Sequence, residues 1–135
     1  MMIGVDTNVL LRLADDEEPR QRDRAQALVR SQGQSGCFVN AIVLAEFAWT
    51  LTRLYKMSRH DAAARIAIIL ESPEFLVASP DEAARAVERF RHGPADFADY
   101  FLAEINRSAG CVMTATFDRD ALKSGEPFAA VPTRA

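Results

Sequence analysis

Four carboxylates stand where an acid needs explaining: Asp6, Glu46, Asp99 and Asp118. Asp6 interrupts "IGVDTNVLLRL", where an apolar run stops at the acid and resumes at Val9. Asp118 ends "CVMTATFDRD" after a Thr-x-Asp step. Glu46 lies in "NAIVLAEFAWTLTRLY", where Ile42, Val43 and Trp49 occupy the positions that share its helical face. A carboxylate in such a stripe carries a desolvation penalty unless a cation offsets it. In "GPADFADYFLAEI", Asp96 and Asp99 fall three apart at a helix start, ahead of an apolar stripe formed by Ala98, Phe101, Leu102 and Ile105. Each acid also has an ordinary reading. Asp6 and Asp118 suit caps and turns, Glu46 suits a salt bridge to arginine, and first-turn acids are favoured by the helix dipole.

Together the four come from separate elements, and convergence on one spot would raise their pKa values through mutual repulsion. Hard divalent cations, Mg²⁺ or Mn²⁺, relieve that conflict because they prefer oxygen ligands. Such a centre suits phosphodiester hydrolysis, in which the metal activates water and stabilises the leaving oxygen. No other constellation competes: the chain has no Cys/His zinc spacing, G-x-S-x-G, Walker loop or G-x-G-x-x-G. His60 and His92 are isolated, and His92, near Asp96 in the chain, reads as a surface or capping residue.

The elements that must position these acids follow from apolar spacing and breakers. Met2–Val5 reads as a short buried strand, with helices over Val9–Ala14 and Pro19–Ser31. Gly33 and Gly36 interrupt before a strand at Cys37–Val39, and Asn40 caps a helix running to about Met57. A helix follows Ser58, Phe75–Val77 reads as a strand, and Ser79-Pro80-Asp81-Glu82 opens a helix to about Arg91. After Gly93-Pro94 come a helix over Asp96–Ser108, a strand at Cys111–Ala115, a helical turn at Asp120–Lys123 and a strand at Phe128–Val131. Alternating short strands and helices predict an α/β domain with a mostly parallel sheet covered on both faces. Asp6 and Asp118 then emerge together at the carboxyl edge of the sheet, where open α/β folds place ligands.

At 135 residues, residues 1–135 read as one domain, large enough to bury about 68% of its unfolded surface. The apolar runs fall short of the roughly 20 residues of a membrane span, and with no export signal the expected location is cytoplasmic. Cys37 and Cys111 read as two buried free thiols. The net charge of −3 argues at first against a nucleic-acid partner. Setting aside the four acids leaves 15 of 19, against 16 basic residues, so the remaining surface is about neutral. A bound metal would make the acidic site attractive to a phosphate chain.

With these residues assembled, the sequence resembles the PIN-domain ribonucleases, and among them the toxins of VapBC-type toxin–antitoxin pairs. The resemblance runs in order through "IGVDTNVLLRL", "VLAEFAWTL", "DFADYFLAEI" and "TATFDRD". It implies an α/β/α sandwich with a central parallel sheet, Mg²⁺- or Mn²⁺-dependent endoribonuclease activity on RNA, homodimerisation, and inhibition by a small antitoxin protein. Carried over by position, Asp6 and Asp99 are the principal metal ligands, Glu46 and Asp118 complete the acidic pocket, and Asn8 and Thr116 support it by hydrogen bonds. The family spacing favours Asp99 over Asp96 as the ligand, leaving Asp96 a supporting or capping role. Tyr100 and Phe101 stand where the family commonly has a small residue, and bulk there would narrow the pocket or shift the helix. Two other readings are a haloacid-dehalogenase-like phosphatase, against which Asn8 counts because those enzymes place a second Asp there, and a non-catalytic PIN-like interaction module.

Overall fold

The computed structural model describes residues 1–133. The strands are β1 (Ile3–Gly4), β2 (Cys37–Val39), β3 (Phe75–Val77), β4 (Thr114–Thr116) and β5 (Phe128–Ala130). The helices are α1 (Thr7–Ala14), α2 (Pro19–Gln32), α3 (Ala41–Arg53), α4 (Arg59–Glu71), α5 (Pro80–His92), α6 (Phe97–Ser108) and α7 (Arg119–Lys123). Every strand pairing is parallel, as the alternation of strands and helices requires. The ladders fall into two pieces, β1-β2-β3 and β4-β5, so the sheet expected as one unit has no hydrogen-bonded link between β1 and β4.

Side-chain caps start several helices where the sequence places them. Asn40 Oδ1 accepts from the Val43 N–H at 2.8 Å, and Ser58 Oγ accepts from the Asp61 N–H at 3.1 Å. Ser79 departs from expectation: it sits before α5 with φ of 50° and makes no side-chain cap, leaving Pro80 at the first turn to set the start. The helix from Ala41 stops at Arg53 and not near Met57, because Lys56 turns left-handed and the Met57 N–H bonds back to the Leu51 carbonyl. The fourth strand is displaced from Cys111–Ala115 to Thr114–Thr116. Its partner offers only Phe128–Ala130, and the Thr114 N–H donates to the Pro127 carbonyl just ahead of that ladder. Cys111 is therefore exposed outside the strand, correcting the expectation of two buried thiols; Cys37 is buried, and both are free.

The core gathers Leu10, Val39, Leu44, Phe47, Leu51 and Ile66 with an aromatic group from α5 and α6. Phe97 lies edge-on to Phe90, with centroids 6.2 Å apart, and tilted over Phe101 at 5.3 Å. Tyr100 and Phe101 point into this core and are almost fully buried. Bulk after Asp99 therefore fills the interior instead of narrowing a pocket. The Tyr100 hydroxyl accepts from the Ala95 N–H at 3.2 Å and shares a hydrogen bond with Ser124 Oγ at 2.7 Å, fastening α6 to the end of α7. Arg89 lies 4.9 Å from the Tyr100 ring centroid and donates to the Ser124 carbonyl at 3.1 Å.

That packing leaves no room at Gly93, where a Cβ would collide with the Tyr100 hydroxyl. Gly93→Ala is expected to destabilise the protein by about 1–3 kcal/mol through overpacking. Tyr100→Phe, which removes the colliding oxygen, should recover part of that loss in the double variant. Urea midpoints of the two single variants and the double check this; strictly additive losses would place the strain elsewhere.

Candidate active site

Asp6 and Asp118 are built alike. Each follows a parallel strand at its carboxyl end and caps the next helix. Asp6 Oδ1 accepts from the Val9 N–H at 3.3 Å at the start of α1, and Asp118 Oδ2 accepts from the Ala121 N–H at 2.9 Å at the start of α7. Each acid thus caps a helix and stands just beyond the carboxyl end of its own strand, the two strands lying in separate ladders. Thr116 supports Asp118 directly, its Oγ1 accepting from the Asp118 N–H at 2.9 Å. Asn8 lies instead in a cleft between α1 and α2, beside Val9, Arg12, Gln21 and Arg24.

Asp99 is an acid whose ionisation its surroundings oppose. It lies half-buried in the first turn of α6, and burial pushes its pKa above the usual carboxylate range. The nearby charges of Asp118, Asp96 and Asp120 push it the same way, while a hydrogen bond from the Asp96 backbone opposes them. Asp96 occupies the cap position but makes no side-chain cap. Its two oxygens accept from Arg53 Nη2 at 3.0 and 3.3 Å. Pairing with Asp96 first, then the charges of Asp120 and Asp118, push the Arg53 pKa up. Arg53 is thus paired with Asp96 and feels the charges of Asp120 and Asp118.

Asp6 and Glu46 are not among the charges acting most strongly on Asp99. Glu46 also departs from the reading of a carboxylate in a desolvating stripe. It is exposed, because its face of α3 turns to solvent, with Ile42 at 71% and Trp49 at 50% exposure; of the three neighbours only Val43 is buried. The buried carboxylate is Glu104 on α6, with Arg85 Nε at 3.4 Å and Arg107 Nη1 at 3.9 Å. The salt bridge considered for Glu46 is found there. Sequence reasoning missed Arg53 and Asp120. Asp120 was visible as the second acid of "FDRD", but Arg53 carries no local signal and joins the site only when the end of α3 meets the start of α6. His60 and His92 are exposed, and His92 lies 3.6 Å from Glu88.

The fit to a divalent cation rests on the donor chemistry of one pair. Asp99 and Asp118 are oxygen donors; Asp99 is half-buried and Asp118 exposed, and the like charge of Asp118 adds to burial in opposing ionisation of Asp99. A hard cation between them would relieve both burdens. Among the described residues, no three His, Cys, Asp or Glu side chains stand close enough to hold one ion together. The arrangement is a pair of acids with further acids around it.

Fold and site define a parallel α/β domain with acids at the carboxyl ends of its strands. The particular family follows from the sequence: the PIN domain family model matches residues 3–126, and the chain belongs to that family. Among solved structures, the Mycobacterium tuberculosis toxin VapC20, described as cleaving the sarcin–ricin loop, is similar over 93% of this chain and 95% of its own. Its identity is 24% and its TM-score 0.44. No protein of curated function matches. Among the described residues, no helix is long and apolar enough to cross a membrane.

Proposed function

We propose that this chain is a Mg²⁺- or Mn²⁺-dependent endoribonuclease that acts in the cytoplasm as the toxin of a VapBC-type pair. Membership of the PIN family supports the reading, and one observation carries it. Asp99 lies half-buried in the first turn of α6, where burial first and then the charges of Asp118 and Asp96 push its pKa up, a cost that a structural cap alone does not require. In this reading Asp6 and Asp99 are the principal ligands of the cation, with Asp118 and Glu46 as the further acids of the pocket. When bound, the cation supplies positive charge to phosphate oxygens and lowers the pKa of water. The chain's own residues do the rest. Thr116 fixes the backbone at Asp118, and the bond from Tyr100 to Ser124 ties the helix bearing Asp99 to the helix that Asp118 caps. RNA is the substrate and a small antitoxin protein the inhibitor. Homodimerisation belongs to the same reading, with Ile42 and Trp49 as exposed apolar surface.

The test is cleavage of end-labelled total cellular RNA by antitoxin-free protein, with Mg²⁺, with Mn²⁺ and with EDTA. Asp6→Asn protein, purified identically, runs beside it. Discrete cuts are expected in both metals and absent from the EDTA and Asp6→Asn lanes. Equal cleavage by Asp6→Asn would assign the activity to a contaminant. No cleavage together with no Mn²⁺ binding by calorimetry would move the interaction-module reading to the front.

A further inference from the structure

We propose that Arg53 is an anchor for an RNA backbone phosphate, held ready by Asp96 in a groove beside the acid pair. The inference rests on the ribonuclease reading and adds a substrate-binding residue to it. Arg53 is the last residue of α3, and its side chain is 57% exposed. A guanidinium has five N–H donors. Among the described residues only Nη2 is engaged, and its partner is Asp96. That ion pair is exposed on both sides, a setting in which such pairs contribute little. Asp96 gives up capping α6 to make it. The guanidinium is thus charged, positioned beside Asp96 and weakly held, so two oxygens of a phosphate group can replace Asp96 as a bidentate pair.

The groove, of about 320 Å³, also contains Arg59, Asp120 and Phe90. Arg59 differs from Arg53 in being committed. Its Nη1 donates to the carbonyls of Phe90 at 3.0 Å and Ala95 at 2.7 Å, its Nη2 donates to that of Pro94 at 2.6 Å, and it sits 4.9 Å from the Phe90 ring centroid. It gives the groove a fixed positive charge, and Arg53 gives it an exchangeable one. Asp96 and Asp120 balance the two, so the groove has no net charge to collect small free anions. A polyanion already seated at the neighbouring acid site would present its next phosphate to Arg53 at high effective concentration.

The test measures binding of single-stranded RNA of mixed sequence in Mn²⁺ between 50 and 200 mM salt, with Asp6→Asn as the non-cleaving parent. Adding Arg53→Ala should weaken binding about tenfold and reduce the magnitude of the salt slope by about 0.7, the value for one phosphate contact on a single strand. Arg53→Lys should restore the slope and part of the affinity. Adding Asp96→Asn to the parent should tighten binding by freeing Arg53, and that gain should vanish when Arg53→Ala is also present. Unchanged affinity and slope in Arg53→Ala, or an Asp96→Asn gain that survives without Arg53, would overturn the proposal and leave the ribonuclease reading standing. A parent that binds no RNA, with a wild type that cuts none, would overturn both.

Discussion

Asp99→Asn is expected to lose metal-dependent RNA cleavage by at least about 100-fold, beyond what an outer-shell partner of a metal costs, while becoming more stable without metal. The two effects share one cause. Burial and the charges of Asp118, Asp96 and Asp120 raise the Asp99 pKa in the folded protein, whereas an unfolded Asp titrates near about 3.9. Between the unfolded and the folded pKa the native state binds more protons, so stability falls as pH rises through that window. Above that window the charged carboxylate carries the whole penalty, and Asn has no charge to penalise. Melting curves in EDTA should therefore show Asp99→Asn pulling ahead of wild type as pH rises from the acid side toward neutrality. Mn²⁺ at about 100 times its Kd should then stabilise wild type by about 2.7 kcal/mol and leave Asp99→Asn unmoved. Equal Mn²⁺ stabilisation of both proteins would sink the assignment of Asp99 as ligand, and Asp96→Asn would be the next variant to melt.

That contrast between Asp96 and Asp99 shows how far sequence reaches into this site. The helix start was legible because Pro94 breaks the chain and the apolar spacing resumes at once. Which of the two acids serves as ligand was not legible from local pattern, since both suit a first turn, and only the resemblance favours Asp99. What the structure adds is Arg53, 43 residues earlier in the chain, which engages the Asp96 side chain while Asp96 makes no cap. Strand-end acids were easier. A carboxylate following a short apolar run in an alternating α/β pattern has few places to go, and Asp6 and Asp118 both leave parallel strands and cap helices. Glu46 misled for a physical reason. Helical spacing tells which residues share a face but not whether that face is inward, and on α3 the face with Ile42 and Trp49 looks outward. The same desolvation argument was sound for Glu104, whose arginine partners come from its own helix and from α5. Pairing between strands was the least legible level. Local pattern predicts strands, whereas β4 takes its limits from where Pro127 lets β5 begin.

Phe97→Ala is the change expected to cost most stability, about 3–5 kcal/mol, a large share of the 5–15 kcal/mol typical of a whole domain. Phe97 is 1% exposed and lies between Phe90 on α5 and Phe101 one turn further along α6. Removing the ring takes away its burial and both aromatic contacts, and the neighbours that would have to close the gap are themselves large and locked. Phe101 is buried on the same helix, and Phe90 is held by the guanidinium of Arg59, which is itself fixed to three carbonyls. The cavity therefore persists, and its cost adds to the lost transfer energy. Phe97 is also the first residue of α6, between the Asp96 that holds Arg53 and the half-buried Asp99. A loosened first turn should weaken Mn²⁺ binding as well as lower the urea midpoint, whereas Phe47→Ala, a comparable loss of buried ring from α3, should lower the midpoint alone. Calorimetric Mn²⁺ titrations of both variants, at a temperature where each remains folded, separate the two effects. Equal affinities would mean that the core beneath α6 supports the fold without setting the position of its acids.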